Sequence, residues 1–310
     1  MRQAAMPTCF IVGAAKCGTT SLDRYLNQHP DIYMAPRKET HFFASPDMPA
    51  RYEGPGDEAF TENLIRSLDE YQSMFAAAQG ARVRGESSVY YLYFPKSLER
   101  IARTVDHPKV IAVLRNPVDR AYSAYMHLVR DGRETLPFLE ALAAEPARRA
   151  ANYQPLWHYT SVGLYARQVE HLLRVFGREH VLLIEYEEFN AQPERTLAQV
   201  FHFLGVDERV RVDTSIRYNM TGVPVAGLYQ MATQSNALTR LLKPFVPGRW
   251  REKLRTQVKN LTLRKEPLSA DVRAQLLERF RADILALEAV WGRSLAHWLH
   301  QASPTAETTA

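Results

Sequence analysis

The stretch Cys9–Leu26, CFIVGAAKCGTTSLDRYL, decides the fold. Its first four residues, Cys9, Phe10, Ile11 and Val12, are a short apolar run of the kind that fills a buried parallel strand. Gly13 and Gly18 bracket a turn that brings backbone N–H groups close to an anion. Beyond it Leu22, Tyr25, Leu26 and His29 recur at helical spacing, and Pro30 stops the helix. A helix start carries unpaired N–H groups and the positive end of the helix dipole, so strand, glycine turn and helix in this order make a phosphate-binding layout.

Against the P-loop pattern G-x-x-x-x-G-K-[ST], Gly13, Gly18 and Thr20 fit, but Thr19 stands where the pattern needs lysine. The lysine is Lys16, in the middle of the loop. A triphosphatase lysine reaches β- and γ-phosphates from the helix start, whereas a mid-loop lysine lies nearer the outer end of a shorter phosphate chain.

The chain has 310 residues, 46% of them hydrophobic and 24% charged, which suits a soluble globular domain large enough to bury one core. One domain is expected over residues 1–300, with a small, polar, disordered tail over 301–310. No apolar run approaches the roughly 18 residues that span a bilayer. The N-terminal apolar piece leads straight into the phosphate turn and is spent as a strand rather than a signal peptide, so cytoplasmic residence is expected. Cys9 and Cys17 flank that tight segment and would have to abandon it to pair, so no structural disulfide is expected.

Further along, Asp31–Phe43 begins as an edge strand before Pro36 redirects it into K-E-T-H-F-F. If extended, this run turns Glu39, His41 and Phe43 one way and sets a carboxylate beside an imidazole. The plainer reading pairs Glu39 with Arg37 or Lys38 on a wet surface. Ala44–Asn63, rich in proline and glycine, reads as a long loop over a cleft. Leu64–Ala78 is helical by the spacing of Leu64, Leu68, Tyr71 and Phe75, and Val83–Tyr93 is strand plus turn.

Val110–Leu114, VIAVL, is a central strand that ends abruptly in Arg115-Asn116-Pro117-Val118-Asp119. Asn116 suits an N-cap, Pro117 the first helical position, and Asp119 a capping box. Arg115 therefore stands at the carboxyl end of a strand, where open α/β sheets bind ligands, and Ser123 lies about two turns into the next helix. Leu164–Phe176 (closed by Gly177) and Pro193–Leu204 (closed by Gly205) are helices around a strand at Val181–Ile184, and Ser269 caps a final helix through Val290. The alternation predicts an α/β fold: a P-loop-like, open, mostly parallel sheet with helices on both faces.

Two motifs together carry a resemblance. GAAKCGTT with V-I-A-V-L-R-N-P-V-D-R-A-Y-S is similar to the sulfotransferases that use 3′-phosphoadenosine 5′-phosphosulfate (PAPS), leaving the product PAP. The resemblance implies that Lys16, Cys17, Gly18, Thr19 and Thr20 bind the 5′-phosphate end, and that Arg115 and Ser123 hold the 3′-phosphate. A third match, K-E-T-H-F-F, resembles the heparan-sulfate, Golgi-type enzymes and implies Glu39 as catalytic base, His41 as its neighbour and Lys16 as the stabiliser of the departing phosphate. No metal is implied. The likeness runs from Cys9 to about Gly205, and the closing R-N-x-x-G-x-P and last helix resemble bacterial members. One departure stands out: glucosaminyl 3-O enzymes follow the acid of the next strand with a lysine, and in this chain the run is Glu86-Ser87-Ser88.

The acceptor implied is a glycan or a small molecule, sulfated on a hydroxyl or amine. A P-loop kinase would need the usual lysine and a Mg²⁺-binding aspartate at a strand end, and neither requirement is met; a noncatalytic nucleotide-binding scaffold is the other alternative, and Glu39 and Lys16 argue against it without excluding it. No nucleic-acid partner is expected. Residues 240–265 hold nine Lys or Arg against one acid, Glu252, a local +8 in a chain of net +5. With Trp250, Leu254, Val258 and Leu261 on one stripe, this segment is expected either to meet an anionic membrane or polysaccharide, making the protein peripheral at the inner membrane face, or to be a solvated helix.

Overall fold

The apolar runs of the sequence become strands because each is buried from both sides, which a parallel sheet demands and an alternating sequence cannot satisfy. The structure, a computed structural model, describes residues 6–216, 223–224, 263–264 and 267–300. In chain order it runs β1 (Cys9–Gly13), α1 (Thr19–Leu26), β2 (Ile32–Met34), α2 (Glu58–Glu62), α3 (Leu68–Ser73), β3 (Val83–Ser87), α4 (Pro95–Thr104), β4 (Lys109–Leu114) and α5 (Pro117–Arg130). It continues through α6 (Phe138–Ala143), α7 (Glu145–Ala150), α8 (Ala166–Phe176), β5 (Val181–Glu185), α9 (Tyr186–Ala191) and α10 (Pro193–Leu204). The last described elements are a short antiparallel pair, β6 (Val223–Pro224) and β7 (Leu263–Arg264), then α11 (Ala270–Trp291) and α12 (Ala296–Leu299).

The main sheet has the order β2-β3-β1-β4-β5, and every neighbouring pair is parallel. Helices cover both faces, as the alternation of elements predicts. Phe10, Ile11 and Val12 of β1 and Val110 to Leu114 of β4 are fully buried and form the centre of the core. The chain passes from β1 toward β2 on one side and places β4 on the other, so the crevice between the loops that follow β1 and β4 is the switch point where such sheets bind ligands. No helix among the described residues is long and apolar enough to cross a membrane.

Three local expectations are corrected. The helix expected over Leu64–Ala78 shrinks to α3: Ile65 instead donates its N–H to the Thr40 carbonyl at 3.0 Å and plugs the core, and Ser67 caps the helix that follows. Helix α1 ends at Leu26, because His29 is a buried tether; its ring accepts from the Asp31 N–H at 3.1 Å and bonds the Asp207 carbonyl at 3.0 Å. Asn116 does cap α5, accepting from the Val118 N–H at 3.0 Å, but Asp119 makes no capping box. It pairs with Arg273 of α11, and the Asn116 N–H goes to Glu187 at 3.1 Å instead.

The final helix starts at Ser269 as expected, its hydroxyl accepting from the Val272 N–H. It docks by polar contacts as well as by the buried Leu276, Phe280, Ile284 and Leu287. Asp283 accepts from the N–H groups of Tyr165 and Ala166 at 2.6 and 3.2 Å, which caps α8 from a distant part of the chain. The Asn116 amide donates to the Trp298 carbonyl at 3.0 Å, so α12 holds the start of α5. The irregular R-Y-N-M-T-G run, the basic segment 240–265 apart from the β7 pairing, and the tail from Gln301 lie outside the described residues.

Candidate functional site

The loop after β1 is shaped by two left-handed residues. Lys16 has φ 72° and Gly18 φ 80°, and Gly18 is the N-cap of α1, so Thr19 and Thr20 are the first two residues of that helix. Gly18 is needed for space as well as for φ: a Cβ there would lie 2.9 Å from the Tyr186 ring. Cys17 turns inward. Its N–H donates to the Ala14 carbonyl at 3.2 Å, its thiol sits 3.7 Å from the Tyr165 hydroxyl, and burial pushes that thiol up to about 11.

Arg115 leaves the end of β4 and reaches back to this loop, donating to the Lys16 carbonyl at 3.3 Å while its guanidinium lies over the Tyr186 ring at 4.7 Å. Along α5, Asn116, Arg120, Ser123, His127 and Arg130 recur at helical spacing on one stripe. Ser123 is buried and already has an interaction partner. Arg120 is buried too; it bonds the Tyr159 carbonyl, yet its Nε has no hydrogen-bond partner among the described residues. The Lys16 amine lies 2.9 Å from His127 Nδ1. Burial first, then the charges of Arg130, Arg115 and Arg120, push Lys16 down to about 7, with Asp131 acting the other way. Four cationic side chains thus gather around one carboxylate, and an orphaned buried guanidinium N–H adds a donor without an acceptor. Such a cradle fits an anionic, phosphate-bearing ligand.

Glu39 and His41 meet, but not by the extended geometry expected of K-E-T-H-F-F. Both residues are left-handed, with φ 65° and 48°, and Thr40 between them is pinned from below. The pin is Glu86, a fully buried carboxylate at the end of β3 that accepts from Thr40 Oγ1 at 3.0 Å and Ser88 Oγ at 2.5 Å; Ser88 in turn accepts the His41 N–H at 2.9 Å. Burial pushes Glu86 up to about 7, against the pull of those two hydroxyls. The Glu86-Ser87-Ser88 run thus shapes the turn below the site.

The resulting turn aims the Glu39 carboxylate at three partners. Lys38 donates to one oxygen at 2.6 Å, the Val89 N–H to the other at 3.1 Å, and His41 Nε2 stands 3.3 Å from that second oxygen. Burial alone would raise the Glu39 pKa, but the Lys38 and His41 charges and these hydrogen bonds outweigh it and hold the carboxyl below its ordinary value. His41 is fully buried between Phe60 and Tyr90, at 5.2 and 5.3 Å between centroids, and neither ring nitrogen makes a hydrogen bond to a described residue. Burial lowers it to about 4, so it is neutral at pH 7.

The two halves share one sheet edge. The loop after β3 that holds Glu39 is hydrogen-bonded to β1, through Ser88 N–H to Ile11 and Leu92 N–H to Val12 at 3.0 and 2.9 Å, and Glu39 N–H bonds the Ser87 carbonyl at 3.0 Å. Glu39, Lys16 and Arg115 therefore all gather at the carboxyl ends of neighbouring strands β3, β1 and β4. Reasoning from sequence missed Arg120, His127 and Tyr186, and it noted Glu86 only as the acid before Ser87-Ser88, without a role. The α5 stripe was a readable signal for the first two; nothing in the sequence marks Tyr186.

A cationic loop cradle and a carboxylate held below its ordinary pKa, both at the carboxyl ends of a parallel α/β sheet, fit a nucleotide-dependent group-transfer class. A model described as the sulfotransferase family matches residues 7–209. The chain belongs to the sulfotransferase family, the PAPS-dependent group that its motifs resemble. It is 42% identical to a sulfotransferase from Alicyclobacillus acidocaldarius of known crystal structure, with a TM-score of 0.78 over 96% of this chain and 100% of that one. It is 30% identical over 215 residues to the human heparan sulfate glucosamine 3-O-sulfotransferase 6, covering 69% of this chain and 56% of that protein. The human heparan sulfate glucosamine 3-O-sulfotransferase 3B1 is 28% identical over 216 residues, 70% of this chain and 50% of that protein. The chain thus spans about half the length of these curated relatives.

Proposed function

We propose that residues 1–300 form one sulfotransferase domain that moves a sulfuryl group from PAPS to a hydroxyl or amine of an acceptor, a glycan or small molecule, and releases PAP. The observation that carries this reading is the pairing of a cationic cradle around Lys16, set against the single carboxylate of Asp131, with the ionised carboxylate of Glu39, on adjacent strand ends. In it, Arg115 and Ser123 hold the 3′-phosphate, and the loop from Lys16 to Thr20, with the first N–H groups of α1, holds the 5′-phosphate. Glu39 takes the acceptor proton as the new bond to sulfur forms. The bond from sulfur to the bridging oxygen breaks, its electron pair stays on the 5′-phosphate, and Lys16 stabilises that charge. The depressed pKa of Glu39 keeps it ready as a base at neutral pH, and the neutral, buried His41 beside it backs the carboxylate. An acceptor of glycan type is the finer part of the reading; it rests on the likeness to the heparan sulfate enzymes.

Thermal unfolding with PAP, AMP and ATP–Mg²⁺ tests the nucleotide assignment. PAP at a hundred times its dissociation constant should add about 2.7 kcal/mol of stability. Equal shifts with AMP, which lacks the 3′-phosphate, would leave Arg115 and Ser123 with no 3′-phosphate to hold, and a preference for ATP–Mg²⁺ would point to a kinase.

A further inference from the structure

His127 lies outside every motif that carries the family resemblance, yet it touches the most important amine of the site. Its Nδ1 is 2.9 Å from Lys16 Nζ, and its Nε2 is 3.3 Å from Asp131 Oδ2 one turn further along. Arg130 closes the cluster, with a guanidinium nitrogen 3.2 Å from both ring nitrogens and its Nε donating to Asp131 at 2.9 Å. Lys16 Nζ and Arg130 present N–H donors to Nδ1 while Asp131 presents an acceptor to Nε2, so the tautomer with its proton on Nε2 fits these neighbours and lets Nδ1 accept a hydrogen bond from Lys16. The amine is therefore occupied while no phosphate is present.

We propose that His127 is a positioning residue that holds the Lys16 amine in the nucleotide-free site, and that the nucleotide phosphate takes this amine over with uptake of one proton from solvent. The inference rests on the nucleotide site proposed above. The charged groups around the amine set the direction of the proton. Along the end of β4 and α5 these are Arg115, Arg120, Arg130 and Asp131; from α9, Glu187 faces Arg115, and at the start of α8 the Tyr165 phenol faces Cys17 beside it. Burial and three guanidinium groups against one carboxylate leave the empty-site amine at about 7, so it is mostly neutral at pH 8. A phosphate dianion in the cradle supplies the missing negative charge and raises the amine back toward the ordinary lysine range. The pKa is higher in the bound state, so the linked affinity is fully present below about 7 and is lost as pH rises above it, by about tenfold in Kd per pH unit.

Calorimetric titration of the full chain with PAP at pH 8, in Tris and in Hepes, reads the proton directly, because the two buffers differ in ionisation heat. About one proton should be taken up per PAP bound. Lys16→Arg should bind PAP with no uptake, since a guanidinium is charged in both states. His127→Ala should bind PAP about two- to twelvefold more tightly, the worth of one hydrogen bond no longer broken on binding, and His127→Gln, which keeps an acceptor, should return toward the native value. A ring that only packs against the loop would give the opposite sign, looser binding in His127→Ala. PAP binding without proton uptake by the native chain, or looser binding in His127→Ala, overturns the inference and leaves the nucleotide site standing. No PAP binding at all overturns both. If His127→Ala does not fold, the comparison of the native chain with Lys16→Arg still decides.

Discussion

Gly18→Ala separates two demands that the loop makes on one residue. The left-handed backbone costs an alanine roughly 1–2 kcal/mol. The new Cβ would also sit 2.9 and 3.0 Å from two carbons of the Tyr186 ring, so the ring must swing away. That ring is the platform under the Arg115 guanidinium at 4.7 Å, a contact worth about 0.5–1 kcal/mol. The total is about 1.5–3 kcal/mol, or about 3–6 °C in Tm at about 2 °C per kcal/mol for a chain of this length. Gly205→Ala is the control: its φ of 70° carries the same backbone cost, and nothing lies within 4 Å of its Cβ. Gly18→Ala should therefore melt below Gly205→Ala, and, because Arg115 shifts with the ring, it should lose about tenfold in the PAP-to-AMP affinity ratio, which Gly205→Ala keeps. Differential scanning fluorimetry and competition binding measure both. If the two variants melt together and Gly18→Ala still prefers PAP as the native chain does, then loop, ring and arginine are not coupled.

Other outcomes follow from the same geometry. Glu39→Gln should lose about a hundredfold to ten-thousandfold in turnover with PAP affinity nearly unchanged; full turnover in this variant would move the base elsewhere, with His41 next. Because Glu39 is held low, the acid limb of its pH–rate profile should fall below the ordinary glutamate value of about 4.3, and a limb near 6 would contradict its environment. Reversal of Arg251, Arg255 and Lys259 to Glu should weaken binding to anionic vesicles or raise the acceptor KM at low salt, an effect screened over about 8 Å at physiological ionic strength; no change in either would leave only a solvated segment.

The sheet was legible in sequence because parallel strands must be apolar on both faces, and VIAVL, CFIV and VLLI have few other uses. The loop from Gly13 to Thr20 and the Arg115–Asn116–Pro117 corner were legible because backbone chemistry restricts glycine, proline and capping residues to few conformations. The turn at Glu39 was not, since the two left-handed non-glycine positions on either side of Thr40 exist only because Glu86 and Ser88 pull on that segment from a neighbouring strand. Asp119 misled for a related reason: its spacing suits a capping box, but Arg273 offers a charged partner from 154 positions away. Local pattern predicts what the chain could do alone, and these two sites record what a distant segment made it do instead.

The cap on α8 has a consequence during synthesis. The first turn of that helix, at Tyr165 and Ala166, obtains its acceptor from Asp283, 118 and 117 positions later in the chain. At about 5–20 residues per second, the ribosome delivers that carboxylate roughly 6–24 seconds after Tyr165 has emerged. Throughout that interval the sheet can pair, but the amide groups at the head of α8 must be served by water, and Tyr165 beside Cys17 is not yet locked against the phosphate loop. A nascent chain stalled after residue 209 would hold every residue matched by the family model and still lack the carboxylate that finishes it.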